Sequence, residues 1–277
     1  MIIWLASYPK SGNTWVRLFL NSLIFTKDAN VNINDIKIEQ FPSRKYFNGI
    51  TNDIDDMRGF MQYCNIAQSK LNLDNKIKFF KTHNAFWRTG KYSFTDDKNT
   101  MGIIHIVRDP RNVITSIKNH YNYENYEKAL NFMEDEENII GIKGSTKEMD
   151  LPTLISSWKT HYNSWKNLTT LKSRYILIKY EDLLKDPISE FNKICIFINK
   201  ISDLKFDEKN ILRAVKNTSF ENLKKQEESN GFKEAPKNNN KFFYLGPSND
   251  WQNLLDKNIK NKLEINSKQE MQDLSYL

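Results

Sequence analysis

Four short apolar runs, Ile2–Ser7, Ile77–Thr82, Gly102–Val107 and Tyr175–Tyr180, recur along the chain, each rich in β-branched or aromatic residues. Runs that are apolar at consecutive positions, rather than at alternate ones, are those of parallel strands buried on both faces. Helical periodicity separates them. Trp15, Leu18, Phe19 and Leu23 share one face after the first run, and Val113, Ile114 and Ile117 share another after Pro110, a residue the first helical turn tolerates. A further helix is expected over Leu151–Leu171, carrying Leu154, Ile155, Trp158, Tyr162 and Trp165. Strands alternating with helices predict an α/β fold with a mainly parallel central sheet flanked by helices. No internal repeat and no Pro/Gly/Ser linker divides the chain, so one domain is expected over residues 1–277. Thr26–Asp56, Tyr123–Asp150 and Gly231–Asn249 fit neither period and read as loops or lids over a site, the last with Pro236, Pro247 and the run Asn238–Asn240. Asp250 to about Gln272 reads as one or two helices packed back on the core through Trp251, Leu254, Leu255, Ile259 and Leu263.

Composition removes several function classes. Cys64 and Cys195 are the two cysteines, without Cys or His partners at metal-ligand spacing, which argues against a disulfide framework and a zinc site. The apolar runs fall far short of the ~20 residues a membrane span needs. Met1 leads directly into an apolar segment with no basic stretch before it, which does not fit a secretory signal, so a cytoplasmic location is expected. With 41 Lys+Arg against 34 Asp+Glu the formal charge is +7, an excess that suits anionic ligands without demanding nucleic acid.

Tyr8-Pro-Lys-Ser-Gly-Asn-Thr-Trp15 lies between the first strand and the first helix. There the backbone N–H groups of a glycine-containing loop and of a helix N-terminus together favour an anion. Gly12 permits close backbone approach, Lys10 supplies a point charge, Ser11, Asn13 and Thr14 supply hydrogen bonds, and Trp15 offers a stacking surface. The lysine precedes the glycine and no Gly-Lys-Ser/Thr triplet follows, so the order is not that of a Walker A ATPase.

This loop resembles the 5′-phosphosulfate-binding loop of sulfotransferases that use 3′-phosphoadenosine 5′-phosphosulfate (PAPS). Val107-Arg-Asp-Pro-Arg-Asn-Val-Ile-Thr-Ser116 is similar to the same family's 3′-phosphate motif, which implies Arg108 and Ser116 as phosphate ligands, with Arg111 facing solvent or capping an ion pair. An arginine fork suits bidentate phosphate binding, and a serine two helical turns on can turn toward the same strand end. Lys81-Thr-His83 resembles the segment whose histidine is the catalytic base, and imidazole suits that role because its unperturbed pKa is near 6.5. His105, inside a strand, reads as core and His161 as surface; His120 is the rival base. Tyr180-Glu-Asp-Leu and Asn217-Thr-Ser-Phe220 resemble the adenine-contacting segments, which implies Tyr180, Thr218 and Phe220. Gly246-Pro-Ser-Asn-Asp-Trp251 is similar to the family's glycine-x-x-glycine-aspartate-tryptophan region, with departures: Tyr244 and Leu245 stand where an arginine and a lysine are usual, and Asn249 replaces the second glycine. Lys237 and Lys241 are the candidate substitutes.

The resemblance implies a P-loop-like three-layer sandwich and transfer of a sulfuryl group from PAPS, leaving 3′,5′-ADP, to a hydroxyl or amine of a small-molecule acceptor. In that in-line displacement His83 would take the acceptor proton, Lys10 would stabilise the bridging oxygen and Lys81 the sulfuryl oxygens. No acidic pair stands beside the loop to hold a metal, so no metal is expected, nor a nucleic-acid or membrane partner. The acceptor pocket is expected from Phe41, Tyr46 and Phe47, from Asn84–Trp87, and from Tyr121–Tyr126. The alternatives are a P-loop-type nucleotide or small-molecule kinase and a non-catalytic nucleotide- or RNA-binding protein; the sequence leaves the acceptor and the oligomeric state open.

Overall fold

The computed structural model describes residues 1–54, 57–141, 151–235 and 241–277. Pro236, Lys237, Asn238–Asn240 and the end of the Tyr123–Asp150 stretch lie outside the described residues. The central sheet has five parallel strands: β1 (Ile2–Ser7), β2 (Glu39–Gln40), β3 (Lys78–Thr82), β4 (Thr100–Val107) and β5 (Tyr175–Lys179), in the order β2-β3-β1-β4-β5. The four apolar runs thus form four of the strands; the fifth, β2, is a two-residue edge strand from within an expected loop. Around the sheet lie α1 (Asn13–Phe25), α2 (Cys64–Leu71), α3 (Pro110–His120), α4 (Tyr126–Glu134), α5 (Trp158–Lys166), α6 (Tyr180–Lys185), α7 (Pro187–Ile201), α8 (Glu208–Asn217), α9 (Phe220–Asn230), α10 (Lys257–Asn266) and α11 (Lys268–Asp273). Among the described residues no helix is long and apolar enough to cross a membrane.

Every residue of β1 is buried, and alternate positions serve different layers. Ile3 and Leu5 join Val16, Phe19 and Leu20 of α1 and Phe191, Ile194 and Ile198 of α7 on one face. Ile2, Trp4 and Ala6 face the other way, onto Phe41, Phe47, Phe60, Phe94 and Trp165. Burying each such side chain stabilises the fold by ~1.5–3 kcal/mol, which is why a run with no polar alternation becomes the central strand. A third cluster, built from Tyr8, Val107, Val113, Ile117, Trp158 and Leu263, closes the structure around α3 to α5 and the C-terminal helices.

Local chemistry sets the helix starts. Asp109 and Asp186 each precede a proline at the first helical position, and each carboxylate accepts from a backbone N–H two or three residues on. The expected Leu151–Leu171 helix is shorter than its apolar pattern: Thr153–Leu154 pairs with Ile139–Ile140 as a small antiparallel ribbon, Ser156 takes φ 58°, and Ser157 caps a helix that begins only at Trp158. His161 on that helix is buried rather than at the surface, packed edge-on to Tyr8. His105 is in the core as expected, with Nδ1 at 2.7 Å from the Tyr175 hydroxyl. Beyond Asp250 the chain makes three short helices, the first being Trp251–Leu254. Ile259 and Leu263 are buried, whereas Leu254 is exposed.

Candidate active site

The chain visits β1, then β2 and β3 on one side of it, then β4 and β5 on the other, so connections leave β1 in both directions and a crevice opens beyond its C-terminal end. A cavity of about 490 Å³ lies there. It is lined by Lys10, Gly12, Asn13, Thr14 and Trp15 from the loop after β1, Lys81 and His83 from β3, Arg108 and Ser116 from β4 and α3, Tyr180 after β5, and Thr218 and Phe220 before α9. All the expected site residues except Ser11 therefore meet in one cavity. Ser11 is buried, and its Oγ has no hydrogen-bond partner among the described residues.

Gly12 takes φ 97°, and a Cβ there would lie 2.4 Å from Tyr180 Cδ2, so the loop has both the conformation and the close approach that only glycine permits. Tyr180 is the roof of this turn: its ring also packs 4.3 Å from the guanidinium carbon of Arg108 and edge-on to Trp15. Arg108 Nη1 donates to the Lys10 carbonyl at 3.0 Å and to Ser116 Oγ at 3.2 Å, while its Nε is buried without a partner among the described residues. Thus Arg108 pairs with neither Asp109 nor Glu181; Asp109 is taken by Arg111, whose guanidinium is buried in an ion-pair network rather than facing solvent.

The cations of the cavity are mutually destabilising. Lys10 Nζ sits 4.1 Å above the Phe242 ring, and burial, followed by the repulsion of Arg108 and Lys81, pushes its pKa down to about 7. Burial likewise lowers Lys81 to about 8, with Glu234 raising it and Arg17 lowering it. Arg17, one helical turn beyond Asn13 and Thr14, has its Nη2 paired to Glu234 and its Nε buried without a partner among the described residues. Burial opposes charge on Glu234, but Lys81, Arg17 and Lys10 together outweigh it and hold the carboxyl below its usual range. A crevice that, among the described residues, holds several unpartnered N–H donors and depressed lysines has the donor set for a bound polyanion.

His83 Nδ1 lies 2.7 Å from the Ser7 carbonyl oxygen, which can only accept, so Nδ1 carries the proton and Nε2 keeps its lone pair. Burial first and then Lys81 hold the His83 pKa well below 6.5, so the ring is neutral at pH 7. His120 also lines the cavity; burial and the two lysines lower it to about 4, and its Nδ1 has no partner among the described residues.

Some expected ligands are used by the fold itself. Asn13 Nδ2 donates to the Leu5 carbonyl at 2.9 Å and to Ser7 Oγ at 3.1 Å, pinning the loop to β1. Thr218 Oγ1 donates to the Ala214 carbonyl at 2.7 Å. Asn249, at the position of the family's second glycine, binds α3: it accepts from Thr115 Oγ1 at 2.5 Å and donates to the Asn112 carbonyl at 2.9 Å and to Ser116 Oγ at 3.1 Å. Lys241 is turned to Glu228 and does not line the cavity, and Lys237 lies outside the described residues. Most of the aromatics expected to form an acceptor pocket do not line this cavity. Phe41, Phe47 and Trp87 are core residues beneath the sheet, and the cavity is lined instead by Ile36, Ile38, Ile140, Phe242 and Tyr121, the last alone among the expected aromatics. Arg17 and Glu234 carried no motif; only the helical spacing of Arg17 from Thr14 marked its face.

A model of the sulfotransferase domain matches residues 2–275. The chain is 26% identical over 227 residues to the amine sulfotransferase of Oryctolagus cuniculus, covering 80% of this chain and 62% of the relative. It is 24% identical over 256 residues to cytosolic sulfotransferase 15 of Arabidopsis thaliana, 91% of this chain and 66% of that protein. These two relatives are thus spanned over less than two thirds of their length. With sulfotransferase 1 family member D1 of Mus musculus the identity is 24% over 276 residues, covering 98% and 83%. Among solved structures, mouse sulfotransferase SULT7A1 complexed with PAP superposes with a TM-score of 0.62 at 19% identity, over 97% of this chain and 83% of that one. Retinol dehydratase in complex with androsterone and PAP gives 0.62 at 17% identity, over 98% and 81%. At these identities the structural likeness bears on the fold: a parallel sheet between helical layers.

Proposed function

The chain belongs to the sulfotransferase-domain family, and from that premise we propose that it moves a sulfuryl group from PAPS to a hydroxyl or amine of a small-molecule acceptor. The observation that carries the reading is the meeting of Lys10, Lys81, Arg17 and Arg108 with a neutral His83 in one crevice at the ends of β1, β3 and β4. The donors fit such a group: among the described residues, Arg17 Nε and Arg108 Nε line the crevice without hydrogen-bond partners. The solved SULT7A1 and retinol dehydratase structures hold PAP, which supports the same nucleotide here.

When bound, PAPS supplies the activated sulfuryl group and its phosphate leaving group. Lys10 and the N–H groups of the 10–15 loop would hold the 5′-phosphate, with Lys10 neutralising charge on the departing oxygen. Arg108 and Ser116 would hold the 3′-phosphate, and Tyr180, Trp15, Thr218 and Phe220 would frame the base. Lys81 would face the sulfuryl oxygens. His83 Nε2, its ring fixed by the Ser7 carbonyl, would accept the acceptor proton. The apolar wall of Ile36, Ile38, Ile140 and Phe242 would receive the body of the acceptor. Relatives named cytosolic sulfotransferases support a cytoplasmic setting. Thermal-shift measurements with 3′,5′-ADP, ATP–Mg²⁺ and a short RNA test the reading. Preferential stabilisation by 3′,5′-ADP is expected. A response confined to ATP–Mg²⁺ would favour a kinase, and one confined to RNA a binding protein.

A further inference from the structure

Behind the crevice, four residues close a ring of hydrogen bonds around the turn that carries Arg108. The Asp109 N–H donates to Glu181 Oε1 at 3.0 Å, and Glu181 Oε2 accepts from the Tyr276 hydroxyl at 2.8 Å. The Tyr276 carbonyl accepts from Arg111 Nη2 at 2.8 Å, and the same Nη2 donates to Asp109 Oδ2 at 2.7 Å, which returns the ring to its start. Arg111 Nη1 is held by Glu264 at 2.6 Å, and the guanidinium lies 4.0 Å from the Trp251 ring. Lys179 Nζ donates to the Leu274 carbonyl at 2.6 Å, tying the same tail to the end of β5.

None of the four ring residues lines the cavity, yet two of them are chain neighbours of residues that do. Asp109 follows Arg108, and Glu181 follows Tyr180, whose ring stacks on Arg108 and covers Gly12. Within the ring, the hydrogen bond from Asp109 N–H to Glu181 joins the β4 turn directly to the β5 turn, and Tyr276 holds the far oxygen of that carboxylate. Because a bidentate phosphate contact depends on the direction of the guanidinium fork, the backbone on which that fork is mounted sets its strength.

We infer that Tyr276 and Glu181 are positioning residues for recognition of the nucleotide's 3′-phosphate, acting through Arg108. The inference rests on the proposed nucleotide site. Loss of the Tyr276 hydroxyl in Tyr276→Phe removes one hydrogen bond to a carboxylate and leaves the ring stacked under Lys179. The full chain and its Tyr276→Phe and Arg108→Ala variants are titrated with 3′,5′-ADP and with 5′-AMP, which lacks the 3′-phosphate. Tyr276→Phe is expected to weaken 3′,5′-ADP about three- to tenfold while leaving 5′-AMP unchanged, so that the ratio of the two affinities falls. A merely structural role would lower the melting temperature and leave that ratio alone. If Arg108→Ala collapses the ratio and Tyr276→Phe does not, the positioning role is overturned while the nucleotide site stands. If Arg108→Ala leaves the ratio at the wild-type value, the nucleotide assignment fails and takes the inference with it.

Discussion

In the proposed site, Lys10 makes nucleotide binding a proton-linked event. In the free protein burial, Arg108 and Lys81 hold it to a pKa of about 7, so at pH 8 roughly one Lys10 in ten is charged. A phosphate beside Nζ replaces that repulsion with attraction and restores the pKa toward its usual value near 10.5, making the lysine almost fully charged in the complex. Binding 3′,5′-ADP at pH 8 should therefore take up about 0.9 proton at Lys10. Because the bound pKa is the higher of the two, affinity is greatest below pH 7. It declines as pH rises from 7 toward the bound pKa, with a slope approaching tenfold per pH unit. Lys81, at about 8, is assigned to sulfuryl oxygens that 3′,5′-ADP lacks and adds little with this ligand. Isothermal titration calorimetry in two buffers of different ionisation enthalpy gives the uptake directly, and Lys10→Met should remove it. An uptake below about 0.2 proton in the wild type, or one equal in the variant, would refute the linkage.

Three further perturbations follow from the geometry. Gly12→Ala forces an L-residue to φ 97° and a Cβ into the Tyr180 ring, at ~1–2 kcal/mol for the backbone and ~1–3 for the overpacking; calorimetry should show the melting temperature falling by roughly 2–4 °C per kcal/mol, and an unchanged midpoint rejects the close approach. Glu234→Gln removes a charge that raises the Lys81 pKa from below, so the alkaline limb of the kcat/KM profile for PAPS should move to lower pH, and a stationary limb excludes Lys81 as its origin. Asn249→Ala deletes three hydrogen bonds to α3, and urea titration should show stability reduced by about 2–4 kcal/mol; a loss under 0.5 kcal/mol would mean water replaces them fully.

Those residues also mark how far the site can be read from the chain alone. Four strands were legible because each is a short run rich in β-branched or aromatic residues; β1 and β4 are buried almost throughout, β3 and the edge strand β5 only in part. Lys10 and Gly12 were legible from the loop itself, and Lys81, His83, Arg108 and Tyr180 through the family resemblance; each sits at or just beyond the C-terminal end of a strand, where topology gathers ligands. The helix at Trp158 was overextended because Leu154 and Ile155 are apolar for another reason: they belong to a ribbon ended by Ser156 at φ 58°. The aromatics were harder to place because they serve a core as readily as a pocket, and Phe41, Phe47 and Trp87 went to the core. Arg17 and Glu234 meet across 217 positions of chain, and Tyr276 meets Glu181 across 95, separations at which no local pattern speaks.

The central claim is that this crevice transfers sulfuryl groups with His83 as the base. The direct measurement is release of 3′,5′-ADP from PAPS in the presence of a panel of phenols, alcohols and amines, with the sulfated product identified by mass. The wild-type chain is predicted to sulfate at least one member of the panel. His83→Ala is predicted to lose 10²-fold or more of that turnover while binding 3′,5′-ADP as before, and His120→Ala to keep most of it. Undiminished turnover in His83→Ala, or PAPS consumed at the same rate with and without every acceptor, would contradict the account.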